Sequence, residues 1–515
     1  MKRIVFYPVF VYEKVQNFKK IGVIPLLKPT LEQEAIVDAN FKDILLVNAY
    51  AGTGKTSTLI QFAQARPKEK ILVLTYNRSM KEEGERKFAH LPYVTVKTIH
   101  SLAYGAIGKN YKERFGKLRA YDLMDFLDDI IKSIRYKSAS LLLSYIREFA
   151  NSAYDIETYK KIKYNEIERN KKLDLIPAHY LLSKLPEIWE IILKDPSFPF
   201  EHDFYLKLYQ LSKPTLPYSI IMVDEAQDIS GVMMDIVLSQ KNAKKVFIGD
   251  KYQQIYSWRG AINSLETLST INGVKTLYLS HSFRCRHEIA KKANPYLQLL
   301  NAAVPFKGVK KGIQSETKGP LAVIARTNAR LFDYAVDEME KNPSVKFHFV
   351  GGINSYNFQD LIDIQNLILQ RRELIYDKFL KNFESFSKLA EYAYEANEID
   401  LETKIEIVKN HINKNISKLV TELESRNTSQ QDATVILTTG HKSKGLEWSR
   451  VKILDDFANL RRMLEEKRKT LKKEEINLIY VAITRAKEEL EIEKDYIINV
   501  FTVEKVKRNI FFVQE

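Results

Sequence analysis

The chain is poor in the residues that build disulfide scaffolds, flexible linkers and membrane spans. Cys285 is the sole cysteine among 515 residues, which excludes an intramolecular disulfide and a cysteine-rich zinc site. A reducing, intracellular setting is the expectation that follows. Glycine (18) and proline (15) are scarce, and no low-complexity tract or fixed-period repeat marks off modules. No apolar run reaches the roughly 18–20 residues that a membrane span requires, so no membrane association is expected. Residues 1–12 hold a short apolar stretch, but Pro8 breaks it and charges follow it in place of a cleavage site. That stretch reads as a strand or docking arm.

Apolar and basic residues are abundant. A 45% hydrophobic content excludes a disordered chain. At roughly 100–200 residues per domain, three or four folding units are expected. The 80 Lys and Arg against 65 Asp and Glu leave a formal charge of +15, which fits a polyanionic partner, although solubility alone accounts for such a surplus.

Short β-branched apolar runs recur at 44–47, 70–75, 219–223, 245–248, 276–279, 321–325, 346–350, 434–437 and 451–454. Runs of this length suit strands buried on both faces, hence parallel sheets covered by helices. Helical patterns lie at 56–64, 80–88 and 474–487, and 460–475 reads as a mixed-charge helix. Segments 104–217 and 354–432 carry little strand character and read as helical insertions. The fold class expected is α/β, with two sheets.

The run 44–47 feeds Ala49-Tyr-Ala51-Gly52-Thr53-Gly54-Lys55-Thr56-Ser57 and then a helical pattern. Small residues here let backbone N–H groups wrap a phosphate at a helix N-terminus. Lys55 would reach the outer phosphates, and the Thr56 hydroxyl would ligate Mg²⁺. A tight glycine turn before a helix is the plain alternative, and the strand–loop–helix context favours the phosphate loop. The run 219–223 ends in Asp224-Glu225-Ala-Gln-Asp228, which puts acids at the carboxyl edge of a sheet, where ligands bind in open α/β folds. Asp224 would hold Mg²⁺ and Glu225 would deprotonate the attacking water. A helix cap explains one such acid but not the cluster.

The order of these segments resembles superfamily 1 DNA helicases of the UvrD/Rep/PcrA type, with motor motifs similar to the F-box DNA helicase branch. Thr30-Leu-Glu-Gln33 resembles the Q motif, and residues 49–56 resemble motif I. Residues 74–78 and 98–103 look like Ia and Ib, 224–228 like II, and Gly249-Asp250-Lys-Tyr-Gln253-Gln-Ile-Tyr256-Ser-Trp258-Arg259 like III. Ser282-Phe283-Arg284 looks like motif IV. Residues 325–328 and Gly351-Gly352 fall at IVa and IVb. Thr439-Gly-His441-Lys-Ser-Lys444-Gly445-Leu-Glu447-Trp448 resembles V, and Tyr480–Ala486 resembles VI.

The resemblance implies two RecA-like parallel-sheet domains, 1A and 2A, with mostly helical subdomains 1B and 2B inserted, and ATP with Mg²⁺ bound between 1A and 2A. The expected division is 1A at 1–104 and 217–272, 1B at 105–216, 2A at 273–353 and 433–515, and a small 2B at 354–432. That 2B is short for a UvrD-type helicase. Gln33 would read adenine, Phe283 would stack on it, and Gly445 and Glu447 would border the nucleotide, Glu447 at the ribose. Gln253 would sense the γ-phosphate, and Arg284 and Arg485 would be arginine fingers, each worth about 10³–10⁵ in rate. Tyr256, Trp258 and Arg259 interleave aromatic and cationic groups suited to stacking bases and contacting phosphates. By resemblance, Thr75, Asn77, Thr98, His100, Asn328, Thr439 and His441 line the same strand.

The function implied is an ATP-dependent DNA helicase moving 3′ to 5′ on single-stranded DNA and unwinding tailed duplexes, in repair, recombination or replication. The motor is expected to be monomeric, with a possible protein partner through 1B or 2B. Two rivals stay open: a translocase that strips proteins from single strands, and a non-motor ATP switch. The expected setting is cytoplasmic and nucleoid-associated, in a bacterial, phage or mobile-element protein.

Overall fold

The computed structural model describes residues 28–169, 177–255, 264–310, 319–395, 399–466 and 470–513. The expected N-terminal arm lies outside them. Six strands form the first sheet: Ile44–Ala49 (β1), Ile71–Thr75 (β2), Val94–Thr98 (β3), Ile220–Val223 (β4), Lys244–Gly249 (β5) and Lys275–Leu279 (β6). They lie in the order β3-β2-β4-β5-β1-β6, and every pair is parallel. Side chains alternate across the pleat, so β1 sends Leu45 and Val47 into one core and Ile44 and Leu46 into another. The second of these cores continues into the helices Lys132–Asn151, Ala178–Lys194 and His202–Leu211 through Ile146, Phe149, Leu185 and Phe204.

His281–Arg286 (β7) and Lys307–Lys310 (β8) make a separate parallel pair. Gly308 permits it, because a Cβ there would lie 2.4 Å from the Arg286 backbone carbon. The second sheet takes Leu321–Ala325 (β9), Phe347–Phe349 (β10), Val435–Thr439 (β11) and Trp448–Ile453 (β12). Beyond Thr470–Lys472 (β13) it adds Ala486–Glu491 (β14), giving the order β10-β11-β9-β12-β14, all parallel. One face, through Val323 and Leu437, packs with the helices Gln359–Ile368, Ile399–Asn410 and Ile416–Ser425; the other, through Ala322 and Ile324, packs with Lys473–Ile483. The α/β class with parallel sheets agrees with the sequence reading. Among the described residues, no helix is long and apolar enough to cross a membrane.

Two helical expectations need correction. The pattern at 474–487 is a helix only to Ile483, after which Ala486 opens β14. β14 (AKEELE) is an edge strand, and its acids meet cations on β12, with Glu489 3.1 Å from Arg450. Charge pairing across strands compensates for weak strand propensity. The stretch 460–475 is not one helix. It splits into the helix Leu460–Glu465, β13 paired with Phe511–Val513 (β15), and the start of the helix Lys473–Ile483.

Candidate nucleotide and nucleic-acid site

β1 delivers the loop to the carboxyl edge of the first sheet. Gly52 and Gly54 sit at φ +69° and +82°, a region that favours glycine. A Cβ on Gly52 would fall 2.3 Å from Arg284 Cβ, so this loop and β7 approach as closely as backbone allows. Thr53 turns its hydroxyl inward, donating to Tyr50 O at 2.9 Å. Ala51 O accepts from Ser282 Oγ, and the Phe283 amide donates to Gly52 O, so the loop and the Ser282-Phe283-Arg284 segment lock together. Ser57 is exposed on the first turn of the helix Lys55–Gln64. Gln33 is buried, accepts from its own Thr30 amide and donates to Thr58 Oγ1 at 3.2 Å.

Lys55 Nζ lies 3.3 Å from Glu225 Oε1, and Thr56 Oγ1 donates to Asp224 Oδ2 at 3.2 Å. Burial pushes Asp224 up to about 6, and the Glu225 charge adds to this. Burial also raises Glu225, but Lys55, the Gln227 amide and Lys444 outweigh it and hold that carboxyl below its ordinary value. Lys55 is raised; its desolvation is outweighed by Glu225, Asp250 and Asp224. Burial therefore weighs against the charge on Asp224, while the neighbouring cations and the Gln227 amide favour the charged form of Glu225. Glu225 also adopts φ +50°, a strained conformation for a non-glycine residue and one that functional sites store.

Among the described residues, no cluster of three or more His, Cys, Asp or Glu side chains forms a metal centre. A Mg²⁺ ion does not need one, since it takes one or two protein oxygens plus substrate phosphates. The adjacent Thr56 hydroxyl and Asp224 carboxylate fit that donor set.

The second sheet closes the other side. Arg485 follows the helix Lys473–Ile483 and is 1% exposed. Its guanidinium donates to Val481 O (2.9 Å), Leu446 O (3.0 Å), Thr484 Oγ1 (3.0 Å) and Gln253 Oε1 (3.4 Å). Burial, helped by the Arg284 charge, lowers it to about 10. Arg284 Nε lies 2.6 Å from Glu447 Oε2, an ion pair whose N–H is poorly aligned. Lys487 stands 3.4 Å from the other Glu447 oxygen. Glu447 therefore faces two cations, and Gly445 beside it is open at φ +84°.

The sequence reading assigned no role to several groups that tie the sheets together. Tyr480 donates to Asp250 Oδ2 at 2.9 Å and accepts from the Ala51 amide. Asp250, raised by burial, also accepts from Gln253 Nε2 at 2.7 Å. Lys444 donates to Asp228 Oδ1 at 2.6 Å and to Gln253 O at 2.7 Å. Their positions within the matched motifs were visible, but nothing local signals a group whose partners are other protein groups.

The nucleic-acid candidates divide. Tyr256, Trp258 and Arg259 lie outside the described residues. Thr75, Thr98 and His100 gather at the carboxyl ends of β2 and β3, and Thr439, His441 and Asn328 at those of β11 and β9. Thr75 Oγ1 and His100 Nδ1 are buried without a hydrogen-bond partner. Asn77 and Thr98 cap the helices that follow them, which gives both side chains a structural duty as well. Thr327, not Asn328, caps the helix Asn328–Lys341. Burial and the Arg326 charge drive His441 down to about 4, so its ring is neutral near pH 7.

A model of the UvrD/REP helicase N-terminal domain matches residues 30–270, and one of the UvrD-like helicase C-terminal domain matches 266–495. The chain is 33% identical to F-box DNA helicase 1 of Gallus gallus over 90% of this chain and 48% of that protein. It is 30% identical to F-box DNA helicase protein 1 of Schizosaccharomyces pombe over 92% of this chain and 58% of that one. DNA helicase II of Salmonella typhimurium is 24% identical over 53% of this chain and 41% of its own length. The chain thus spans about half the length of the curated relatives it matches. Proteins of this family in general use ATP with Mg²⁺ and bind DNA. The expected bacterial, phage or mobile-element setting, cytoplasmic and nucleoid-associated, is overturned. The two F-box DNA helicase relatives above come from chicken and fission yeast, which points to a eukaryotic origin in place of a bacterial, phage or mobile-element one.

Proposed function

Because the chain belongs to the UvrD/REP helicase family, we propose that it is an ATP-dependent DNA helicase moving 3′ to 5′ on single-stranded DNA. The two sheets are the cores of domains 1A and 2A, and the helical insertions are 1B and a small 2B; the expected 1A–2A boundary at 272/273 moves past Leu279, because β6 (Lys275–Leu279) pairs with β1 in the first sheet. One arrangement carries the reading: the charges of Glu225, Asp224 and Arg284 all act on Lys55, and Gln253, just after β5, accepts from Arg485 of the second sheet's side.

The loop amides and Lys55 bind the phosphates of ATP, while Gln33 and Phe283 take the adenine side. Thr56 and Asp224 hold Mg²⁺, which when bound neutralises charge on the phosphates. Glu225, kept ionised, accepts the proton of the attacking water. Arg284 and Arg485 stabilise the equatorial oxygens, and because they come from the far lobe, hydrolysis depends on the lobes meeting.

ATPase turnover with and without single-stranded DNA tests this. Lys55→Ala and Glu225→Gln should each cut stimulated turnover by about 10² or more, the scale of a lost general base. Retained turnover in both refutes the site. A second reading, a translocase that strips bound proteins without unwinding, is favoured by the small insertion between β10 and β11.

A further inference from the structure

The buried amide of Gln227 links three acids. Its Nε2 donates to Glu225 Oε2 at 2.8 Å and to Asp228 Oδ2 at 3.3 Å, and its Oε1 accepts the Asp250 backbone N–H at 3.0 Å. Both amide protons and the carbonyl are thus engaged, which fixes which way the amide faces. Gly249 makes room for this arrangement, since a Cβ there would lie 2.3 Å from Gln227 Oε1. The far end of this chain belongs to the other lobe. Lys444, in the turn after β11, donates to Asp228 Oδ1 at 2.6 Å and to Gln253 O at 2.7 Å. The pair is nearly sealed from solvent, with side chains 11% and 4% exposed, so the contact forms only with the lobes in place.

We infer that Lys444 and Gln227 are positioning residues, through which the second lobe sets the Glu225 carboxylate by way of Asp228. This rests on the ATPase reading above and adds a route of coupling distinct from the two arginines. The arginines supply charge to the phosphate; this relay orients the base. A contact that merely glued the lobes together would change stability or nucleotide affinity. A relay changes turnover at constant affinity, and its members act as one unit.

The test uses the full chain with ATP and single-stranded DNA, measuring kcat, KM, the Kd of a fluorescent ATP analogue and Tm. Lys444→Met should lower stimulated kcat by about 10–100-fold, the range commanded by groups that orient a reacting one. The Kd should stay near that of the wild type. Asp228→Asn keeps the shape and should show the same loss, which guards against a misfolded Lys444→Met. The double variant should be no worse than the worse single, because both cut one chain. Lys444→Arg keeps the cation and should recover part of the rate. A wild-type kcat in Lys444→Met, additive losses, or an effect confined to Kd or Tm overturns the relay alone. A wild-type chain whose turnover ignores DNA overturns the functional reading and the relay with it.

Discussion

Arg485 spends four contacts on carbonyl, hydroxyl and amide oxygens, with its charge buried to 1% exposure. Only a planar fork reaches Leu446 O and Gln253 Oε1 together, so the requirement is for shape as well as charge. On the proposed finger role, Arg485→Lys should therefore lose most of the about 10³–10⁵-fold that an arginine finger supplies, nearly as much as Arg485→Ala. Single-turnover hydrolysis at saturating ATP, with nucleotide affinity measured separately, checks it; recovery by lysine would show that charge alone suffices. The places of Lys55 and Thr56, opening the helix after β1, and of Asp224 and Glu225, just past β4, were legible in the sequence, because chemistry and local pattern coincide there. The partners of Gln227, Asp250 and Tyr480 carried no such signal: the bonds from Gln227 Oε1 to the Asp250 amide and from Tyr480 to Asp250 span 23 and 230 positions, and only folding creates those.

The junction between the helix Asn328–Lys341 and the inserted helices depends on Asp333. Its carboxylate accepts from His411 Nε2 at 2.8 Å and pairs with Arg330. Burial raises the Asp333 pKa, but His411 and Arg330 outweigh it and leave it below the ordinary carboxylate value. A carboxyl depressed in the folded state stabilises it fully above the unfolded value of about 4 and loses that stability as pH falls through the lower folded value. Asp333→Asn should cost about 1–3 kcal/mol at pH 7 in urea unfolding. The difference from wild type should shrink as the pH drops below about 4. A gap independent of pH would assign the loss to packing. At this scale the buried strands β1, β2, β4, β5, β9 and β11 were readable as apolar runs, because both of their faces are covered. β3 and β14 were not. β3 (VTVKT) is only partly buried and carries Thr95 and Lys97 within it, and in β14 the stabilising partners are cations on β12, which the local sequence does not contain.

With a net charge of +15, the whole chain should hold single strands largely through phosphate contacts. Log affinity should then fall linearly with log salt, at about 0.7 per phosphate neutralised. Affinity alone does not separate unwinding from stripping, since both need a strand held while the lobes open and close. Geometry separates them: unwinding needs a surface that engages the duplex ahead of the motor, and the insertion between β10 and β11 is small here. On duplexes with a tail at one end, a helicase moving 3′ to 5′ should displace the strand from 3′-tailed substrates and leave 5′-tailed ones intact, with both reactions silent in Lys55→Ala. A stripping translocase should release streptavidin from a biotinylated 5′ end while leaving the same 3′-tailed duplex paired. Displacement from the 5′-tailed substrate alone would reverse the polarity and leave the ATP site standing, because direction depends on how the strand lies across the two sheet edges and not on the chemistry between them.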